Sequence, residues 1–144
     1  MKRALSLFAL FAVLFAATPT FAADKVITLT LDGRPVDRAG GIAVVRNGIV
    51  YADAIDLIKS FDGLLNLQQD GGAALTIRAN TGYFKPGSTS ATINKVRVTL
   101  PGAPFMRNGD LYVPLAAFIT KIAGARVKVT PGHADILVNA NPLS

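Results

Sequence analysis

Few side chains in this sequence have the types and spacing that catalysis or metal binding requires. The single histidine, His133, stands two residues before Asp135, so both would project from one side of a strand. These two ligands are too few for a metal site, and acid–base catalysis would need a nucleophile and an orienting group beside His133. We therefore interpret His133 as part of an exposed turn.

Two aspartates three residues apart form the second candidate. Asp53 and Asp56 lie at the start of a predicted helix, on one of its faces. Such a pair could bind a hard cation or act as an acid–base pair. It could equally cap the helix and interact with its dipole, which needs no further partner. We favour the capping interpretation.

The composition excludes most other catalytic chemistry. The 144 residues include one His, no Cys and no Trp, and all nine acidic residues are Asp. Thiolate metal sites, disulfides and Cys nucleophiles are therefore excluded, as is any site that needs two imidazoles. Neither a Gly-x-Ser-x-Gly motif nor a phosphate-binding glycine loop occurs. We predict a protein that is not an enzyme, with no cofactor and no bound copper. A small exported hydrolase is the least favoured alternative.

The N-terminus has the features of a secretory signal peptide. A basic start and an apolar run over residues 4–17 precede Thr20-Phe21-Ala22, which supplies the small residues of a cleavage site. The run is shorter than the roughly 20 residues that span a bilayer, so an uncleaved anchor is less favoured. We predict a signal peptide over residues 1–22 and a mature chain over residues 23–144 without a membrane span. Its location would be periplasmic, cell-wall associated or extracellular.

The net charge of +6 does not indicate a nucleic-acid partner, because the cations are scattered and lack interleaved aromatic residues. We therefore predict no nucleic-acid binding. A modest attraction to anionic envelope polymers and an ordinary solvated surface are both compatible with this charge.

A segment in the first half of the chain recurs 61 residues later. Arg46-Asn47-Gly48-Ile49-Val50-Tyr51 corresponds to Arg107-Asn108-Gly109-Asp110-Leu111-Tyr112. The Asn-Gly pair at the centre of each predicts a hairpin with a type I′ turn. A short helix is predicted after each tyrosine. In the first copy Asp53 caps the helix, and its predicted inward residues are Ile55, Ile58 and Phe61. In the second copy the helix begins at Pro114, and its predicted apolar stripe consists of Leu115, Phe118, Ile119 and Ile122.

The predicted fold class is therefore α+β, with two tandem repeats over about 27–80 and 90–140. We expect antiparallel β-sheets, each packed on one short α-helix, within a single domain. No segment between the copies is long enough to separate them.

Three groups of residues are candidates for binding. Tyr51 and Tyr112 could be sugar-stacking platforms, although their matched positions favour a packing role. Arg46 and Arg107 flank the turns, where they could bind an anion or be solvated. Tyr83-Phe84-Lys85 contains the aromatic pair that the repeat does not duplicate, and we choose it for a specific contact.

The repeated unit resembles the copper amine oxidase N-terminal-like domain, a stalk-type module. The run from Arg107 to Leu115 and Gly124-Ala125-Arg126-Val127 carry the likeness, which extends over about 27–138 in two copies. The first copy departs from the pattern, with Ala52-Asp53-Ala54 where Val-Pro-Leu is usual, and both copies lack the usual Trp. The resemblance implies a non-catalytic stalk, and neither copper nor oxidase activity for this chain.

These observations together predict an exported, non-catalytic, stalk-like module that binds an envelope polysaccharide or an exported protein. The alternative is an accessory or inhibitor-like protein that acts on an exported enzyme through a sheet edge.

Overall fold

The computed structural model of the protein describes residues 24–36 and 42–138. These residues form an α+β fold of two β-sheets with a few short helical segments, which confirms the predicted class. The predicted signal peptide and the end of the second copy lie outside the described residues.

The described residues contain thirteen strands and two short α-helices. They are β1 (Lys25–Leu31), β2 (Arg34–Pro35), β3 (Ile42–Arg46), β4 (Ile49–Asp53), α1 (Ala54–Ser60), β5 (Leu64–Leu67), β6 (Ala73–Ile77), β7 (Asn80–Phe84), β8 (Ser90–Ile93), β9 (Val96–Thr99), β10 (Phe105–Arg107), β11 (Asp110–Pro114), α2 (Leu115–Phe118), β12 (Arg126–Thr130) and β13 (His133–Leu137).

The larger sheet has the order β10-β11-β4-β3-β1-β13-β12, with β2 paired to β1, and the smaller sheet has the order β5-β6-β7-β8-β9. The smaller sheet is antiparallel throughout. In the larger sheet β1 and β13 run parallel, with Thr28 opposite His133 and Leu31 opposite Ile136. The prediction of purely antiparallel sheets is therefore wrong at this pair, which joins the two ends of the described chain.

Both Asn-Gly hairpins have the predicted turn. Asn47 and Gly48 have φ angles of 52° and 76°, and Asn108 and Gly109 have 52° and 82°. Positive φ at both central residues defines the type I′ turn, and Asn and Gly accept it at the lowest steric cost.

Helix α1 begins as predicted, but only one of its three predicted inward residues is buried. The Asp53 carboxylate accepts a hydrogen bond from the Ile55 amide at 2.8 Å, which is the predicted cap. Ile58 is buried as predicted, whereas Ile55 is only half-buried. The other buried residues of the helix are Ala54, Asp56 and Leu57. Phe61, also predicted to face inward, lies beyond the last helical turn and is half-buried. The helix contacts strands of both sheets, so its buried face is set by two surfaces rather than one.

The second helix matches its predicted stripe. Leu115, Phe118, Ile119 and Ile122 are all fully buried. Helix α2 continues as a π-helical turn over Ile119–Ala123, which contacts β12 of the larger sheet together with β6 and β7 of the smaller one. Both helices therefore lie between the two sheets, and the expectation of one helix for each sheet is corrected.

The main core fills the space between the sheets and around the helices, with Leu29, Leu75, Phe84 and Phe118 among its buried side chains. A second, smaller cluster covers the other face of the larger sheet. It consists of Val44, Tyr51 and Tyr112, with Ile49 and Phe105 packed against them. Within residues 24–36 and 42–138 no helix is both long and apolar enough to cross a membrane.

Candidate functional site

The small cluster on the outer face of the larger sheet contains three aromatic rings in contact. The Phe105 ring lies edge-on to Tyr51, with centroids 4.7 Å apart, and parallel to Tyr112 at 5.6 Å. Tyr51 and Tyr112 are only 3% and 4% exposed, so they are packing residues, as their matched positions suggested. Phe105 is half-buried and forms the outer layer.

The two arginines that were candidates for anion binding, Arg46 and Arg107, converge on this cluster. The Arg46 guanidinium lies over the Phe105 ring, 3.5 Å from its centroid, and donates two hydrogen bonds to the Asp24 carboxylate at 2.8 and 2.7 Å. Arg107 donates to the Tyr112 hydroxyl at 3.5 Å. The bonds from Arg46 and the positive charges of both arginines hold the pKa of Asp24 below its usual value. The cluster therefore binds a carboxylate, which here belongs to the chain itself.

A cavity of about 820 Å³ opens beside Arg46. We call it the Arg46 groove; its lining includes Arg46, Ile49, Tyr51, Pro86, Pro104 and Phe105. The Gly87 amide donates to the Pro104 carbonyl at 2.8 Å, which joins the turn after β7 to the loop before β10. That loop passes so close to Tyr51 that a Cβ on Gly102 would overlap the tyrosine hydroxyl. The wall of the groove is thus held by packing and by a backbone hydrogen bond.

The predicted triplet Tyr83-Phe84-Lys85 is divided between the surface and the core. Phe84 is fully buried, with its ring centroid 6.5 Å from that of Phe118, so the expectation that it contacts a ligand is corrected. It alternates inward along β7, whereas Tyr83 projects from the outer face and Lys85 is exposed beyond the strand end.

Tyr83 is held in place on the outer face of the smaller sheet. Its hydroxyl donates to the Asp70 carboxylate, which also accepts a bond from the Gly72 amide at 3.0 Å. The ring lies against Gly72, where any Cβ would overlap it. The bond from Tyr83 is the main reason that the pKa of Asp70 is below its usual value.

Tyr83 is the centre of a straight row of residues across all five strands. Cross-strand pairing gives the order Asn66, Ala74, Tyr83, Thr92 and Arg97. We call this row and its flanking side chains the Tyr83 face. Concave spaces of about 540 Å³ each adjoin Tyr83, one lined by residues that include Gln68 and Gln69 and the other by residues that include Thr81 and Lys95.

The aspartates at α1 form a third cluster, which includes one residue that sequence reasoning missed. Burial and a hydrogen bond with Asp110 raise the pKa of Asp53 to about 6, and the nearby charge of Asp56 adds to the effect. Asp53 and Asp56 are 5% and 4% exposed. Asp110 begins β11, and only the pairing of β11 with β4 brings it to Asp53. No local spacing could have indicated this.

His133 is the first residue of β13 and is half-buried, which corrects the expected exposed turn. The Thr30 hydroxyl donates to Asp135 at 2.6 Å and lies 2.7 Å from His133 Nε2. Because that hydroxyl has one proton, His133 Nε2–H is the donor in the second bond. A catalytic triad needs the carboxylate on the histidine ring, with the histidine beside the hydroxyl nucleophile. Here Thr30 lies between His133 and Asp135, so the three side chains do not form a triad, and their hydrogen bonds link β1 to β13.

The donor groups do not fit a copper site. The sequence has one histidine and no cysteine, and copper(II) prefers imidazole-rich sets. Within the part of the chain that the structure describes, no three His, Cys, Asp or Glu side chains are grouped so that they could hold a metal ion.

Comparison with protein families gives one match over most of the chain. The sequence profile of the copper amine oxidase N-terminal domain matches residues 30–138. The chain belongs to that family. In copper amine oxidases this N-terminal domain is a non-catalytic module, in keeping with the donor groups described above. No match is found among curated proteins or among solved structures.

Proposed function

We propose that this member of the copper amine oxidase N-terminal domain family is an exported, non-catalytic, stalk-like module that binds an acidic polysaccharide of the cell envelope across the Tyr83 face. One observation carries the proposal: an aromatic ring is fixed at the middle of a row that crosses the whole smaller sheet. Four strand spacings make that row roughly 19 Å long, which is enough for several sugar rings.

The way Tyr83 is held suits a stacking platform. Asp70 fixes the hydroxyl and Gly72 leaves room for the ring, so little conformational entropy remains to be lost on binding. Ala74, the neighbour of Tyr83 in the row, is too small to cover the ring. A pyranose ring can therefore approach from that side.

The polar groups around Tyr83 favour an acidic glycan. Thr92 and Arg97 continue the row on one side, and Lys95 lines the adjoining concave space. The positive charge of Lys85 acts on Asp70, whose carboxylate is already hydrogen-bonded to Tyr83. Hydroxyl, ammonium and guanidinium donors are thus available to sugar hydroxyls and carboxylates.

Calorimetric titration with hexagalacturonate, and with cellohexaose as the neutral comparator, tests this proposal. We expect the acidic hexamer to bind more tightly, and Tyr83→Ala to weaken its binding at least tenfold. Tyr83→Phe keeps the ring and should stay within about threefold of the original affinity. Arg97→Gln should weaken binding, whereas Lys128→Gln, the same charge change on the larger sheet, should not. Binding that is indifferent to Tyr83→Ala would refute the proposal.

Export is part of the proposal and rests on the N-terminal residues described above. The basic start, the apolar run over residues 4–17 and the small residues before Ala23 support it. Intact mass of protein from the native host should correspond to a chain that begins at Ala23. A cell-associated product that retains Met1 would contradict export.

We also propose that the domain contains two copies of one unit, and the strand register supports this. Ala52 faces Val113 across β4 and β11, and these residues are 61 positions apart. On either side Tyr51 faces Pro114 and Asp53 faces Tyr112. In the other copy, the residue that corresponds to Tyr51 is Tyr112, and the residue that corresponds to Pro114 is Asp53. Exchanging the two copies therefore converts one flanking pair into the other. The pairing therefore has an approximate twofold axis at Ala52 and Val113.

An accessory role on an exported enzyme is the second candidate, and the edge strand β5 favours it. Leu64 and Leu67 on this strand are 68% and 77% exposed, and an unpaired strand edge can add a strand from a partner. In this case an exported enzyme should co-purify with the domain and change its activity on binding. Leu67→Lys should abolish both effects.

A further inference from the structure

The contact between Arg46 and Asp24 has the features of a built carboxylate-recognition site. The guanidinium donates through Nε and Nη2 to both carboxylate oxygens, which is the two-bond geometry that arginine forms with carboxylates. The Phe105 ring supports the guanidinium from one side at 3.5 Å. Because this support does not involve the carboxylate, the guanidinium keeps its orientation when the carboxylate is exchanged.

We propose that the Arg46 groove binds an acidic peptide segment of a partner protein, whose carboxylate replaces that of Asp24 on Arg46. The proposal concerns the outer face of the larger sheet, so it is independent of polysaccharide binding on the Tyr83 face. Asp24 is then the resident occupant of the site, in competition with the partner.

The site is accessible and its occupant is replaceable. The side chains of Arg46 and Asp24 are 38% and 24% exposed, so a partner reaches the pair from solvent. Asp24 precedes β1, whose pairing with β3 begins at Lys25 and Val45. Moving Asp24 therefore breaks none of the pairings between the two strands.

The surroundings of Arg46 favour a peptide rather than a small anion. The present occupant is itself the side chain of a peptide residue, so Arg46 already receives a carboxylate that a main chain carries. The lining adds apolar surfaces from Ile49, Phe105 and Pro104 to the positive charge of Arg46, and Arg107 contributes a second favourable charge at the carboxylate. An acidic residue with an apolar residue close to it in sequence matches this combination.

The test uses the full chain and a peptide that copies its own sequence around Asp24. Acetyl-Ala-Asp-Lys-Val-amide is titrated into the wild-type protein and into Asp24→Ala, with the arginine Nε–H signals followed by nuclear magnetic resonance. We expect Asp24→Ala to bind at least tenfold more tightly, because the tethered carboxylate no longer competes. Adding Arg46→Gln should reduce that binding at least tenfold, and the matching Asn peptide should bind as weakly. Lys128→Gln serves as the charge control and should change nothing.

Each remaining outcome contradicts the proposal. If the Asp24→Ala variant is folded by circular dichroism but does not bind the peptide, the contact between Arg46 and Asp24 is purely structural. Binding that survives Arg46→Gln would locate the peptide elsewhere. If Asp24→Ala binds trigalacturonate tenfold more tightly than the peptide, the occupant is a glycan and the peptide proposal is wrong. Tyr83→Ala is measured in parallel, so a failure of the polysaccharide proposal is seen separately.

Discussion

The carboxyl group of Asp53 shares a hydrogen bond with that of Asp110 across the β4–β11 pair, while it also caps α1 through the Ile55 amide. The cap favours the charged form of Asp53, whereas burial and the second carboxyl favour the neutral form. The balance raises the pKa of Asp53 to about 6, so the neutral form prevails below about pH 6. Between about pH 4 and pH 6 the junction between the two hairpins therefore retains a proton that the unfolded chain has already released.

Asp53→Asn should remove a pH dependence of stability. Between about pH 4 and 6 the folded protein binds more protons at Asp53 than the unfolded chain does, so this residue lowers the free energy of unfolding as pH rises. Asn keeps a capping oxygen but carries no charge. We expect Asp53→Asn to be more stable than the wild type at pH 7 by about 1–2 kcal/mol, with the difference disappearing near pH 3.5. Urea denaturation at several pH values measures it.

Asp53→Ala is the matched control, because it removes the charge and the cap together. It should be less stable than Asp53→Asn by about 1 kcal/mol at all pH values. Equal stability of the two variants would mean that the cap contributes nothing.

Thr30→Val should weaken the junction between β1 and β13. The substitution preserves shape but removes the hydroxyl that contacts both His133 and Asp135. The expected loss is about 1–2 kcal/mol at neutral pH. The pKa of Asp135 is below its usual value mainly because of Thr30, so this stabilisation is present above about pH 4 and is lost as pH falls through the lowered pKa. Carbon resonances of the Asp135 carboxyl should show the pKa rising in the variant.

Gly48→Val and Gly109→Val test whether the hairpins share one cooperative unit. A Cβ at either position meets no atom within 4 Å, so the cost comes from the φ angles of 76° and 82° alone. We expect each substitution to lower the free energy of unfolding by on the order of 1–3 kcal/mol. Because one core cluster joins both sheets, each variant should lower the midpoint of a single calorimetric transition. Two transitions, of which only one responds, would indicate independent halves.

Gly82→Ala should be destabilising for a different reason, since its φ angle is not positive. A Cβ there would overlap Ile122 Cδ1, at the contact between β7 and the π-helical turn. Overpacking of this kind costs about 1–3 kcal/mol. Ile122→Val removes the overlapping methyl group, so the double variant should recover part of the loss in a double-mutant cycle. Purely additive effects would disprove the close contact.

The parts of the fold that the sequence predicted depend on neighbours along the chain. The Asn-Gly turns follow from φ preferences, and the stripe of α2 follows from helical spacing that ends at Gly124, with its φ of 67°. The parallel pairing of β1 with β13 joins Thr30 to Asp135 across the whole chain, and no local pattern encodes it. The predicted burial of Ile55 and Phe61 at α1 was wrong for the same reason, since contacts with two sheets decide which face of the helix is buried.

The candidate sites divide in the same way. The sequence was enough to name three candidates by their residue types: Tyr83, Arg46 and Arg107. The inward position of Phe84 would have followed from the alternation of β7 if the register of that strand had been known. The partners of Arg46 could not be named. Asp24 lies 22 residues away and Phe105 lies on a strand from the other hairpin, and only the completed larger sheet brings all three together.

The parallel alignment of β1 and β13 determines how the domain resists mechanical load. If tension acts where β1 begins and where β13 ends, the two strands are pulled in opposite directions along their length. The hydrogen bonds between them are then loaded together in shear, instead of opening one after another as in a hairpin pulled from its open end. Rupture must break the whole pairing and the Thr30 contacts at once. The domain therefore resists force best when the force acts along β1 and β13, between the start of the first strand and the end of the second.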